Sequence, residues 1–407
     1  MATITSLLQD HVTLEVRSVD RIFLHAYVPR LQTQYQVIRF LLDRGYPIPS
    51  PAALGRIGKA FVRDIERFCS ERGVPVVRFR KKDDQEQTAA PYFAQASEQG
   101  RYGVVMLGVR QETANVWTGW REGGSDAHPH FEYSRQSKFV NHYYVYILDR
   151  QFGPVFFKIM AYAPYSVWIW CNANEWAKCQ ADQAGIAYTA LDNGFAACSD
   201  PAALQRICDR FSAAAIRTLC ERWLRRLPSP FTAEDPQRGY WYDYAFRQFE
   251  VSDTRMFDRP ASARAWFEGT IKEHLDLGRP DRVSVVFNRR INRRTPGRFS
   301  TRVITQGVDP SIYIKYKASK LKQYMKLGRA LRTETVINNT RDFGIGRRVT
   351  EENLQALRAV GEAANRRLIE LEVSSSPCAP DADTLRRVVL PSIENGLPGG
   401  SPKVRRN

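Results

Sequence analysis

VNHYYVYILD (140–149), GPVFFKIMAY (153–162) and SVWIWCN (166–172) are the stretches on which the fold turns. Each is dense in β-branched and aromatic residues. Gly153-Pro154 and Ala163-Pro164-Tyr165 punctuate them as turns, so three consecutive strands are expected. A helix over 175–183, closed by Gly185, and a fourth strand over 186–191 follow. A long helix is expected over 201–227, broken by Pro228 and Pro230, and further aromatic helix within 240–275. Together these predict a central sheet-plus-helix module over 128–275, with strand order like that of RNase H.

Upstream, VTLEVRSVDRIFLHAYV (12–28) reads as a strand or hairpin. Helical spacing over 33–44 and 50–72 includes an apolar stripe of Leu54, Ile57, Phe61, Ile65 and Phe68, whose plain reading is core packing. Short strands at 74–79 and 102–109 flank a helical stretch at 85–99. Alternation of strand and helix predicts an N-terminal α/β module over 1–120. The polar loop REGGSDA (121–127) is the expected boundary. Downstream, strands are expected at 283–287, 298–305, 311–317 and 330–338. An amphipathic helix follows at 351–372, with a capping pattern of Thr350 and Asn353. These make a basic mixed module over 280–373, followed by a Pro/Ser/Gly-rich tail, 374–407, expected to be flexible. The fold class expected is therefore mixed α/β, of the α+β kind.

The whole chain has 407 residues, with 43% hydrophobic and 25% charged residues and a formal charge of +17. Those proportions exclude wholesale disorder, collagen and coiled coil. The charge suits a polyanionic partner. No secretory signal pattern opens the chain, and the apolar stretch Val155–Cys171 contains Lys158 and Pro164 and is too short to span a bilayer. Seven cysteines without a CxxC pair read as reduced thiols in a cytoplasmic protein, with no membrane partner expected.

Charge position is more telling than its total. Residues 281–350 hold 17 Lys/Arg against 4 Asp/Glu. RRINRRTPGR (289–298) supplies Arg289, Arg290, Arg293, Arg294 and Arg298 around a turn. KYKASKLKQYMKLGR (315–329) interleaves Lys315, Lys317, Lys320, Lys322, Lys326 and Arg329 with Tyr316 and Tyr324, and Arg332 follows. Cations neutralise phosphates and release counterions, while aromatic faces stack on unpaired bases. The competing reading is a solvated charged face, which must tolerate strong self-repulsion. DNA and RNA are not distinguished.

A second pattern is an order of acids. Asp149 ends the first central strand, Glu175 opens the following helix, and Asp192 ends the fourth strand. Nucleases of the RNase H type place carboxylates at such points to hold Mg²⁺ for phosphodiester hydrolysis. The plainer reading makes Asp149 and Asp192 turn residues and Glu175 a first-turn helix acid. A third arrangement is His128-Pro129-His130, with His142 nearby and Tyr240, Tyr242 and Tyr244 downstream. A histidine pair with a tyrosine nucleophile, here Tyr242, is the apparatus of single-strand nicking enzymes, but Pro129 departs from their motif and a loop histidine pair is the alternative. Motifs for nucleotide cradling, zinc proteolysis and serine hydrolysis are missing.

VDRIFLHAYVPRLQ (19–32), NEWAKCQADQAGIAYTALDNGFAACSDPAALQ (174–205) and KYKASKLKQYMKLGRALRTETVINNTRDFGIGRR (315–348) resemble a family of uncharacterised bacterial proteins. Longer members end in a winged-helix-like extension. The resemblance implies that this extension is absent or removed here; it transfers no activity. Lys315-Tyr316-Lys317, Gly328 and ALRTETVIN (330–338) are locally similar to strands of phage and plasmid replication initiators, which implies a mobile-element or replication role. The expected function is nucleic-acid binding, with Mg²⁺-dependent endonuclease activity as one form. The other is a non-catalytic binder that positions a structured RNA or another factor.

Overall fold

The computed structural model describes residues 9–27, 93–160, 166–191, 194–224, 243–275, 291–295, 298–304, 311–315 and 318–369, with scattered positions between 39 and 79. The expected strand at 283–287 and the tail 374–407 lie outside them. The mixed α+β class is what these residues form, with antiparallel pairing dominant. The chain divides into two compact units, each assembled from separated stretches: residues 1–22, 172–213 and 246–407, and residues 23–171 and 214–245. Module boundaries expected near 120, 128 and 275 do not match this division.

The first unit contains strands in the order β10 (Ile291–Thr295), β11 (Arg298–Ile304), β12 (Ser311–Lys315), β13 (Ser319–Lys326), β14 (Ala330–Ile337), β9 (Asp243–Phe257) and the first part of β1 (Val12–Tyr27). Register puts Lys322 opposite Glu334, Arg332 opposite Thr254 and Val336 opposite Glu250, so these share one face. That face also presents Leu14, Val16, Met256 and Ala330. They pack against α1 (Ala173–Gln183), α2 (Pro201–Asp209) and the ribbon β7 (Tyr188–Leu191)–β8 (Gly194–Cys198), through Ala177, Leu204, Ile207 and Phe195. The opposite face takes α5 (Glu351–Ile369). Asn365 on α5 accepts from the Thr335 hydroxyl at 2.7 Å and donates to the Val251 carbonyl at 3.1 Å. Gly361 lets the helix approach closely, since a Cβ there would lie 2.5 Å from Val251. The expected cap is present: the Asn353 amide donates to Thr350 Oγ1 at 3.3 Å.

Two expectations fail here for visible reasons. The single helix expected over 201–227 is two, because the chain breaks at Arg210 to send Phe211 inward against Trp176, with ring centroids 5.3 Å apart; the second is α3 (Ala213–Leu224). The aromatic helix expected within 240–275 is α4 (Pro260–Leu275), and strand β9, which was not expected, precedes it. β9 is buried on both faces and carries charges on both, so its alternation is invisible in hydropathy. The strand expected to complete an RNase H-like sheet, β7, instead pairs with β8 in a ribbon that is two-stranded among the described residues.

The second unit has the order β6 (Ser166–Asn172), β5 (Gly153–Met160), β4 (His128–Asp149), β3 (Val105–Ser125) and β2 (Val76–Phe79), with β2 parallel to β3. The expected boundary loop at 121–127 is instead the end of a long β3–β4 hairpin, with Ser125 paired to His128. Gly124 sits at φ +90°, a backbone region closed to side chains, and allows this tight end. Cross-strand neighbours Phe156 and Trp170 stack at 4.3 Å, and Phe23 stacks on Trp170 at 4.1 Å. Six cysteines are free thiols among the described residues. Burial pushes Cys171 and Cys208 up to about 12. No helix among the described residues is long and apolar enough to cross a membrane.

Candidate functional site

The centre of the first unit's sheet holds a knot of buried charge. Strand alternation places Asp20 (β1), Glu250 (β9), Lys322 and Tyr324 (β13), and Arg332 and Glu334 (β14) on the face covered by α1. Arg332, 1% exposed, donates from Nη2 to Asp20 Oδ2 and from Nε to Glu334 Oε1, both at 2.6 Å. Tyr324 Oη donates to the same Glu334 oxygen at 2.6 Å. Lys322 Nζ donates to Glu334 Oε2 at 2.6 Å and also to Glu250. From α1, Asn174 Nδ2 donates to Asp20 Oδ1 at 3.2 Å. Gly194 completes the enclosure: a Cβ there would fall 2.8 Å from Arg332 Nη1.

The electrostatics follow from three carboxyl groups meeting two cations. Burial, then the neighbouring Glu334 charge, raises Glu250 to about 7 against the pull of Lys322. Burial also works to raise Glu334, but Arg332 and Lys322 outweigh it and hold it well below the usual carboxylate range. Burial opposes the Lys322 charge, yet Glu334 and Glu250 overcome this and raise its pKa. A proton on Glu250 would bring the knot to neutrality, as a water-poor interior favours. One oxygen from each of Asp20, Glu250 and Glu334 lies within 4.8 Å of the others, so the triad can hold a metal ion. The donor set fits a hard divalent cation, and Asn174 Oδ1 beside it, wholly buried, has no hydrogen-bond partner among the described residues. A cation there would compete with the Lys322 ammonium, which already spans Glu250 and Glu334.

The acids expected to converge have other work. Asp149, 1% exposed, accepts from Trp223 Nε1 at 2.6 Å, from Arg222 Nη1 at 3.0 Å, and from the amides of Gln151 and Phe152. It is a turn cap that anchors α3. Glu175 pairs with Lys178 at 2.7 Å, one turn along α1, and belongs to the other unit. Asp192 lies outside the described residues. His128 and His130 are exposed on the β3–β4 hairpin, His130 Nε2 being 3.8 Å from Glu132; Tyr242 lies outside the described residues.

The basic segment is split by the fold. Arg289, Arg290, Tyr316 and Lys317 lie outside the described residues. Arg293 and Arg294 fall on β10, Arg298 on β11 and Lys315 on β12. Lys320 sits over the Tyr313 ring at 4.8 Å, while Lys326 and Arg329 flank the β13–β14 turn. Lys322, Tyr324 and Arg332 instead turn into the buried knot. There Arg332 is sealed, and Tyr324 offers its hydroxyl to Glu334 rather than an open ring to a base.

Sequence reasoning missed Asp20, Glu250 and Glu334. The available signal was local: VDRIF, FEVSD and RTETV each set an acid at the middle of a β-rich run, where a charge needs a partner. A separate cleft of about 730 Å³ is lined by Glu15, Arg17, Gln205, Asp209, Arg358 and Glu362. Its charges pair with one another, Arg17 with Glu15 at 2.8 Å and Arg358 with Glu362 at 2.7 Å and with Asp209. Comparisons with protein-family models, curated proteins and solved structures found no match to this chain.

Proposed function

We propose that this is a cytoplasmic nucleic-acid-binding protein whose binding surface is built on β10–β13 and the β13–β14 turn. The observation that carries the reading is the 17-to-4 excess of basic over acidic residues in 281–350. Antiparallel pairing gathers the part of this charge that stays outside the buried knot: Lys315 on β12 stands directly opposite Lys320 on β13. Like charges set opposite each other weaken a sheet. A phosphate backbone relieves that repulsion and releases its own counterions.

The test is a fluorescence-anisotropy titration across a range of salt, with Arg289, Arg290, Arg293 and Arg294 replaced together by Ala. Affinity should fall for every sequence. The slope of log K against log salt should flatten by about 0.9 for each duplex phosphate that the variant no longer neutralises. An unchanged slope refutes the assignment.

A second reading, metal-dependent phosphodiester cleavage in replication or mobile-element processing, is favoured by the Asp20–Glu250–Glu334 triad. Those carboxylates would hold Mg²⁺, which would supply charge neutralisation at a phosphate. Lys322 and Arg332 orient the carboxylates. Calorimetric titration with Mg²⁺ and Mn²⁺, beside cleavage assays on single strands, duplexes and RNA, tests it. Binding of neither ion, together with no cleavage, leaves the non-catalytic binder.

A further inference from the structure

The turn between β13 and β14 runs Lys326-Leu327-Gly328-Arg329. The Arg329 amide donates to the Lys326 carbonyl at 3.3 Å, and the two central residues have φ of +50° and +68°. This is the left-handed hairpin turn for which Asn-Gly is the favoured pair, because asparagine and glycine tolerate positive φ. Leucine does not. Leu327 is the only non-glycine residue at positive φ among the described residues. It is also 70% exposed, so folding buries little of its side chain in return. Backbone strain and exposed apolar surface coincide at one tip, and neither benefits the free protein. Lys326 and Arg329 stand on either side, at the end of the strand that carries Lys320.

We propose that Leu327 is a wedge that enters a base step of duplex nucleic acid, with Lys326 and Arg329 on the flanking phosphates. Apolar side chains, leucine among them, insert between base steps in this way and partly unstack them, while cations hold the phosphate backbone. The inference rests on the nucleic-acid reading above and adds to it a duplex partner and a mode of deformation. An exposed leucine between cations also suits an anionic bilayer; the surrounding +13 region, whose cations extend along several strands rather than cluster at the tip, favours the phosphate backbone.

The experiment uses the full chain and two variants, Leu327→Asn and Leu327→Met, with a duplex carrying 2-aminopurine at successive positions. The parent should bind and raise 2-aminopurine fluorescence through unstacking. L327N should melt at a higher temperature, since asparagine suits the turn, yet bind the duplex roughly tenfold more weakly and lose the fluorescence rise. L327M should retain both binding and the rise. If the parent binds but L327N matches it in affinity and fluorescence, the wedge is refuted and the basic surface stands. If the parent binds no duplex or single strand at any salt, both proposals fall. Leu327-dependent binding to phosphatidylserine vesicles without a fluorescence rise on duplex reassigns the tip to lipid and overturns the wedge.

Discussion

Replacing Glu250 by Gln tests the charge balance of the buried knot directly. Glu250 moves from an ordinary 4.5 to about 7 on folding, through burial first and the Glu334 charge second. A carboxyl with a raised pKa holds its proton more tightly in the folded state. Its contribution to stability is therefore fully present below pH 4.5 and is lost as pH rises through 7. At 1.36 kcal/mol per pKa unit, the swing is roughly 3 kcal/mol. Glutamine is the permanent mimic of the protonated form, so E250Q should lack this swing. The assay is urea unfolding of parent and variant between pH 4 and pH 8.5, read as the difference between them. Taking the difference cancels other titrations, including that of Asp253, which burial raises to about 6, and of His142, which burial lowers to about 4. The two proteins should be closest in behaviour near pH 4.5, and E250Q should gain on the parent by roughly 3 kcal/mol above pH 7.5. A difference that stays flat across this range would refute the argument, since Glu250 would then be ionised throughout and some other group would neutralise the knot. Saturating Mg²⁺ bound at the triad would also flatten the parent's curve, by drawing the Glu250 proton off.

Arg332→Met removes the cation shared by Asp20 and Glu334 and should cost about 3–5 kcal/mol in urea unfolding, because Asp20 loses the guanidinium that pairs it and Glu334 keeps only Lys322 as a cation. Asp149→Ala should destabilise by a similar order, about 3 kcal/mol, through release of Arg222 and Trp223, while nucleic-acid affinity of the folded protein stays at the parental value in an anisotropy titration. Thr350→Ala should cost about 1 kcal/mol through loss of the α5 cap, measured by chemical denaturation.

Much of the fold was legible where burial is one-sided or complete and apolar. β5 and β6 are runs of aromatic and β-branched residues; β6 spans the expected 166–172 and β5 begins at the expected Gly153, with 161 and 162 outside the described residues. α5 carries the expected cap at Thr350, whose short-range chemistry fixed its start, while α1 begins at Ala173, two residues before expectation, behind an Asn172 cap that the sequence reading passed over. β13 was read as a basic patch rather than as a strand. In SKLKQYMK the residues facing one way are Lys320, Lys322, Tyr324 and Lys326, and two of these four are engaged by acids of other strands. Their partners are 10, 12 and 72 residues distant, so no window of local sequence contains the explanation. The same holds for the candidate site. Asp20, Glu250 and Glu334 each stand in a β-rich run, but their convergence exists only once the sheet is assembled, whereas Asp149 stands at a strand end. Its real role, as an acceptor for Trp223, depends on a helix 74 residues later.

The ion pair between Asp20 and Arg332 spans 312 positions of sequence. On a ribosome adding about 5–20 residues per second, β1 leaves the exit tunnel roughly 15–60 s before its cationic partner has been made. During that interval a nascent strand carrying VTLEVRSVD, with Asp20 destined for the interior, must wait without β9 or β14 beside it. The completed sheet then closes a very long loop at a late stage, which slows the search for native pairings. A protein so arranged closes this sheet late rather than vectorially, and its yield in the cell should be governed by what shelters the early strand while the later strands are synthesised.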